Sequence, residues 1–163
     1  MNGVDELKTK LELPPPGHIG VVVRDMDKAV EYYSSIFGIG PFTVYEFAPD
    51  KHWLREKPCP MKLLTGHAMW SNIQLELLQP LEGESLHKEF LETHGEGLQH
   101  LAFHIPDYDE WFNKFKKAGF KPLTRAETYH EPYKGYSKAC YFDTQSIGGI
   151  IFEITWRSWL MES

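Results

Sequence analysis

Two glutamates interrupt runs that are otherwise mostly apolar: Glu76 in Ile73-Gln-Leu-Glu-Leu-Leu78 and Glu153 in Ile150-Ile-Phe-Glu-Ile154. A carboxylate in such a run is costly to bury unless it is paired or metal-bound. Two histidines open comparable runs, His18 in His18-Ile-Gly-Val-Val-Val23 and His100 in His100-Leu-Ala-Phe-His-Ile105. Brought together, two imidazoles and two carboxylates form a donor set for a first-row divalent ion. On an octahedral ion they leave two positions open, as a catalytic metal requires. Zn, Ni, Co, Mn and Fe are all compatible with such donors.

An internal repeat gives the reason to group these four. With an offset of 82, His18 falls on His100, Asp25 on Asp107, Asp27 on Asp109, Val30 on Phe112 and Tyr33 on Phe115. With an offset of 77, Ile73-Gln-Leu-Glu76-Leu falls on Ile150-Ile-Phe-Glu153-Ile. Each half therefore reads β-α-β-β-β, opening with a strand-borne His and closing with a strand-borne Glu. His104 lies on the same strand face as His100. Residues four apart on a strand are about 13 Å apart, so the two cannot share one ion. The repeat selects His100 as the ligand and leaves His104 as a residue that supports the site.

The elements that must position these residues follow from periodicity and punctuation. Residues 1–16 read as an N-terminal extension closed by Pro14-Pro15-Pro16-Gly17. The first module spans 17–81: a strand from His18, a helix over 27–37 with an aspartate cap, and strands at Phe42–Phe47, Met61–Trp70 and Ile73–Leu78. Residues 48–60, with Pro49, Pro58 and Pro60, read as a loop. A short helix is expected between Ser85 and His94. The second module spans 97–157, with a helix capped by Asp107 or Asp109 and strands near 122–129, 136–143 and 149–156.

Composition narrows the function classes. The chain has 163 residues, 42% of them hydrophobic and 25% charged, which suits one globular domain. A net charge of −6 argues against nucleic-acid binding. The continuous apolar runs, such as Ile19–Val23, fall far short of the roughly 20 residues of a membrane span. Met1–Leu13 is polar and lacks the apolar core of a secretory signal. Two cysteines, Cys59 and Cys140, suggest a reducing, cytoplasmic setting and not a disulfide framework.

The stretches His18-Ile-Gly-Val-Val-Val-Arg-Asp-Met-Asp-Lys-Ala-Val-Glu-Tyr-Tyr, Gly97-Leu-Gln-His100-Leu-Ala-Phe-His and Gly148-Gly-Ile-Ile-Phe-Glu153-Ile resemble the vicinal oxygen chelate superfamily. This is also called the glyoxalase/bleomycin-resistance/dioxygenase group. Leu75-Glu76-Leu-Leu-Gln-Pro80-Leu is similar to the fourth strand of its methylmalonyl-CoA epimerase branch. The resemblance implies an α+β fold, two paired β-α-β-β-β modules whose mixed sheet curls into a partly open barrel round a metal. It carries the family's ligands onto His18, Glu76, His100 and Glu153, and it implies a homodimer.

Family chemistry then becomes an expectation. A divalent-metal-dependent isomerase or lyase, epimerase-like, would chelate vicinal oxygens of a small carbonyl or acyl-thioester substrate and stabilise an enolate. The alternatives are a glyoxalase I-type lactoylglutathione lyase, a non-catalytic binding or resistance protein, and an extradiol-type dioxygenase. The dioxygenases resemble a three-ligand site, so a fourth donor at Glu76 argues for proton transfer. The epimerase branch carries a Glu upstream of the Glu76 equivalent, and Lys57–His67 holds none. Glu76 and Glu153 are therefore the candidate bases, with His104 in support. Substrate contacts are expected from Trp53, Arg55, Lys62, His67 and His130.

Overall fold

Asp25 and Asp107, which the repeat superposes, each accept a hydrogen bond from a backbone amide three residues on, Lys28 N and Glu110 N. Each thereby caps a helix that lies on the outer face of the sheet. The computed structural model describes residues 10–161. In chain order the strands are β1 (His18–Val22), β2 (Thr43–Phe47), β3 (Lys51–Leu54), β4 (Lys57–Pro58), β5 (Lys62–Trp70), β6 (Ile73–Glu82), β7 (Gly97–His104), β8 (Pro122–His130), β9 (Gly135–Phe142) and β10 (Ile151–Arg157). The helices are α1 (Met26–Glu31), α2 (Leu86–His94) and α3 (Tyr108–Lys117).

All ten strands form one mixed sheet in the order β2-β5-β6-β1-β7-β10-β9-β8-β3-β4. The order mirrors itself about the antiparallel pair β1–β7, where His18 faces Ala102 and Gly20 faces His100. On either side the flanking pairs are parallel, β1 with β6 and β7 with β10. Gly20 stands beside Glu76, and Ala102 stands beside Glu153. Both offsets read from the sequence therefore meet at one register. The curled mixed sheet is the α+β half-barrel that the resemblance implies.

Alternation divides each strand between two environments. On the outer face of the first half, α1 packs Met26 against Val23, Ala68, Leu75 and Leu77. On the outer face of the second half, α3 packs Trp111 and Phe115 against Cys140, Phe142 and Ile154. Leu11 and Leu13 of the N-terminal extension dock on this second cluster; the rest of that extension, residues 1–9, lies outside the described residues. Helix α2 bridges the halves, with Leu86 buried among Leu123, Tyr141 and Ile151.

Three elements depart from the sequence reading. The helix expected over 27–37 is α-helical only to Glu31 and continues as a π-helical turn, Tyr32–Ile36. Strand β6 runs on to Glu82 through Pro80, beyond the end of its pairing with β1, where a missing amide breaks no ladder bond on that side. The segment 48–60 is not a loop. It forms the hairpin β3–β4, and β3 pairs with β8, so part of the first half completes the edge of the second. The two residues of its turn, Arg55 and Glu56, have φ of 48° and 65°. That turn normally favours Asn-Gly. Here Arg55 makes a two-pronged pair with Glu89 of α2 at 2.8 Å, and Glu56 pairs with Arg125 at 3.0 Å.

Candidate metal centre

The four residues singled out by the repeat converge on the inner face of the half-barrel. His18 Nε2 lies 3.0 Å from Glu153 Oε2 and 3.2 Å from Glu76 Oε2. His100 Nε2 lies 3.3 Å from each of the same two oxygens. One donor atom from each residue falls within 4.8 Å of the others. Neighbouring donors on an ion held at about 2.1 Å stand roughly 3 Å apart, so this set could hold a divalent ion. His18, His100 and Glu153 are buried, and Glu76 nearly so.

Electrostatics give a second test of fit. Burial opposes protonation of His18, but Glu76 and Glu153 outweigh it and push its pKa up to about 10. Burial would likewise raise the Glu76 carboxyl, yet His18 and hydrogen bonds from His100, His18 and His67 hold it well below the usual carboxylate range. The two buried carboxylates thus demand positive charge between them, which a proton on His18 supplies here and a divalent ion supplies more fully.

Neighbouring groups orient the donors. The other oxygen of Glu76, Oε1, pairs with His67 Nε2 at 2.8 Å, because His67 faces Glu76 across the β5–β6 ladder. His100 Nδ1 donates to the Gln99 side-chain oxygen at 3.1 Å, which leaves Nε2 for the site. The same oxygen meets His87 Nδ1 at 2.7 Å. Burial and then the charge of His100 push the His87 pKa down to about 4. Burial and then Glu153 and Glu76 raise the Tyr141 hydroxyl well above its ordinary value. Gly20 makes room for His100: a Cβ there would come within 1.9 Å of the imidazole.

His104 does not support a ligand through a hydrogen bond. Its Nδ1 bonds to Thr155 Oγ1, and its ring stands 6.0 Å from that of His18, whose own Nδ1 is buried without a partner. The strand ends at His104, so the side chain projects past the site and is exposed.

Three of the donors, His18, Glu76 and Glu153, line a cavity of about 750 Å³, with His100 buried behind them. Of the expected substrate residues, His67 and His130 line it. His130 bonds to Ser137 Oγ at 2.7 Å. Trp53, Arg55 and Lys62 do not line it. The alternation of β3 turns His52 inward and Trp53 outward, where Arg125 lies 4.8 Å over its ring. Arg55 is held by Glu89, and Lys62 pairs with Glu82 at 3.0 Å. The sequence reading missed His87, Tyr45, Thr65, Thr128 and Arg157 among the lining residues. The hydroxyls of Thr65 and Thr128 are buried there with no hydrogen-bond partner. For Thr65 and Tyr45 the signal was period-two alternation with His67 and Thr43; for His87, which approaches from a helix, there was none.

The chain belongs to the Glyoxalase/Bleomycin resistance protein/Dioxygenase superfamily, whose sequence profile matches residues 17–141. It is similar to 4-hydroxyphenylpyruvate dioxygenase of Legionella pneumophila, 32% identical over 111 residues, 66% of this chain. The chain spans 29% of the length of that curated relative. Methylmalonyl-CoA epimerase of Mycobacterium tuberculosis has a similar fold, with a TM-score of 0.63 at 21% identity over 91% of this chain and 93% of that one. A Streptomyces coelicolor methylmalonyl-CoA epimerase in complex with 2-nitronate-propionyl-CoA gives 0.59 at 23% identity, covering 88% of this chain and 94% of its own.

Proposed function

We propose that this chain is a divalent-metal-dependent isomerase or lyase, epimerase-like, acting on a small carbonyl or acyl-thioester compound with two neighbouring oxygens. The observation that carries the reading is the convergence of four donors, His18, Glu76, His100 and Glu153, within 4.8 Å of one another, three of them lining the cavity. These residues would hold one ion of Zn, Ni, Co, Mn or Fe. When bound, such an ion polarises a carbonyl and stabilises the anion left when the adjacent carbon loses its proton.

The chain's own groups handle the proton and the surroundings. Glu76 and Glu153 are the carboxylates beside the substrate's place, and either accepts the proton as general base. His67, hydrogen-bonded to Glu76 Oε1, is positioned to share that proton. His87, kept neutral by burial, adds an uncharged wall that does not compete for the carboxylates. Leu63, Met61 and Leu78 exclude water from one side of the cavity.

A dioxygenase is the second reading, favoured by the match to the Legionella protein. The fourth donor, Glu76, supports proton transfer instead. A glyoxalase I-type lyase would use the same two glutamates but deliver the proton to the neighbouring carbon, where an epimerase returns it to the same one. A binding or resistance protein would use the cavity without turnover. The setting we infer is cytoplasmic: both cysteines are free, and no helix among the described residues is long and apolar enough to cross a membrane. The exposed apolar side chains Tyr32, Ile36 and Phe37 support a homodimer, for which light scattering should give twice the 18.9 kDa chain mass.

The test begins with elemental analysis of purified protein, where about one divalent ion per chain is expected. Metal-loaded protein is then incubated in deuterium oxide with methylmalonyl-CoA, with the methylglyoxal–glutathione hemithioacetal, and with 4-hydroxyphenylpyruvate under an oxygen electrode. Deuterium entering a substrate carbon supports the proposal. Oxygen consumption without exchange sinks it in favour of the dioxygenase. Absence of metal after incubation with Mn, Fe, Co, Ni and Zn sinks every enzymatic reading.

A further inference from the structure

Strand β10 ends on a cation that nothing in the metal site uses. Alternation puts Glu153, Thr155 and Arg157 on one face, while Phe152 and Ile154 pack outward against α3. Arg157 lines the cavity and is only partly exposed. Among the described residues no carboxylate lies within 4.0 Å of it. Of the other cations that line the cavity, Arg125 pairs with Glu56 at 3.0 Å, although its Nε is buried without a partner, and Lys138 lies 5.3 Å over the ring of Tyr108.

A partly buried guanidinium is expensive to keep without an anion. Its charge reaches the side chains around it. After burial it is the largest cause that lowers the pKa of His104 and of His130, and it offsets the rise at Tyr45. The aromatic rim beside it consists of Tyr45, Tyr133 and Trp159, the last two stacked at 4.7 Å. Between the levels of Glu153 and Arg157 the wall carries Ala139, paired with Thr155, and Ala126, paired with Ala139; Phe47, Met61, Leu63 and Leu78 line the cavity elsewhere.

We propose that Arg157 anchors an anionic group of the substrate, at the opposite end from the oxygens that meet the metal and separated from them by an apolar body. The proposal rests on the metal-chelation reading above and names the substrate class for it: an organic anion with a chelating head, an apolar middle and a second, charged end. Glu153 and Arg157 are four residues apart on one strand, about 13 Å between their Cα atoms. An acid of roughly eight carbons fits between a chelated head and a guanidinium that reaches back into the cavity. Arginine suits the role because its planar fork grips a carboxylate or a phosphate at two points.

The test compares probes on metal-loaded protein by calorimetry. The first is 2-oxosuberate, with a chelating 2-oxo acid head and a distal carboxylate. The second is 2-oxooctanoate, with the same head and a methyl end. The third is coenzyme A, with phosphates and no chelating carbonyl. The wild type should bind 2-oxosuberate at least about tenfold tighter than 2-oxooctanoate. Arg157→Met should erase that preference while leaving metal content and 2-oxooctanoate affinity unchanged, and Arg157→Lys should keep part of it. If coenzyme A binds and Arg157→Met weakens it at least tenfold, the anion is a phosphate and the anchor stands. If Arg157→Met and Arg157→Lys leave all three affinities unaltered, the anchor is wrong. A failure of the chelation reading looks different: 2-oxooctanoate would bind the metal-stripped protein as tightly as the loaded one.

Discussion

The two halves share a plan and differ in how they are filled. Each begins with a His-bearing strand, caps its helix with an aspartate and ends with a Glu-bearing strand paired at the same register. The first half packs α1 through Met26 and aliphatic side chains, and leaves Tyr32, Ile36 and Phe37 exposed. The second half packs α3 through a cluster of aromatic rings, with Phe115 and Phe142 stacked at 4.4 Å. Inward, the equivalence is kept where four donors must meet. Outward, each half has settled its core independently. The shared feature is the inner register, because a shift of one residue would turn a donor out of the site.

The sharpest challenge to this equivalence is at the donors. Glu76→Ala and Glu153→Ala should each lower metal affinity by more than about 100-fold, read by elemental analysis after dialysis. If Glu76→Ala retained its ion while Glu153→Ala lost it, the site would be of three-ligand type and the halves functionally unequal. Next come the outer cores. Phe115→Ala should cost about 3–5 kcal/mol and Met26→Ala about 2–5 kcal/mol, by urea denaturation. Equal costs would show that the aromatic packing adds nothing over the aliphatic one.

A smaller effect separates the paired positions beside the ligands. Gly20→Ala would drive a methyl into the His100 ring. It should weaken metal binding about 10–100-fold, as loss of an orienting contact does. Its counterpart Ala102 already carries a Cβ next to His18, so Ala102→Gly should cost only about 0.5–1 kcal/mol of stability and leave the metal in place. The smallest effect belongs to the hairpin, which has no counterpart in the second half. Burial lowers the pKa of His52, whose ring meets Thr124 Oγ1 at 2.7 Å and the Cys59 carbonyl. The unfolded chain takes up this proton near pH 6.5 and the folded chain at lower pH, so stability should fall as pH drops below about 6.5. His52→Asn should flatten that part of the stability-against-pH curve.

How much of this was legible in the sequence depends on whether the signal was local or repeated. His18, Glu76, His100 and Glu153 could be grouped because each occurs twice in one register, and the aspartate caps gave the helix starts. The hairpin was hidden because β3 is four residues long and its turn is Arg55-Glu56, held by Glu89 and Arg125 from distant elements in place of local turn chemistry. With the hairpin went the orientation of Trp53 and His52, since alternation over four residues gives no phase. His87 and Arg157 were missed for another reason. Nothing near them in the chain shows that α2 crosses to Tyr141, or that β10 runs four residues past its glutamate on the inner face.

The hairpin has a stereochemical consequence. Two histidines and two glutamates related by a pseudo-two-fold axis make a centre that is nearly indifferent to which way round a ligand sits. A proton delivered in such a centre could reach either face of a planar carbon. The strand pair inserted in one half only, with His52 on its inner side and its edge joined to β8, removes that indifference. Under the proposed chemistry it would favour one ligand orientation, with one glutamate toward each face of the reacting carbon. The asymmetry around the donors thus comes from the element that the duplication does not share.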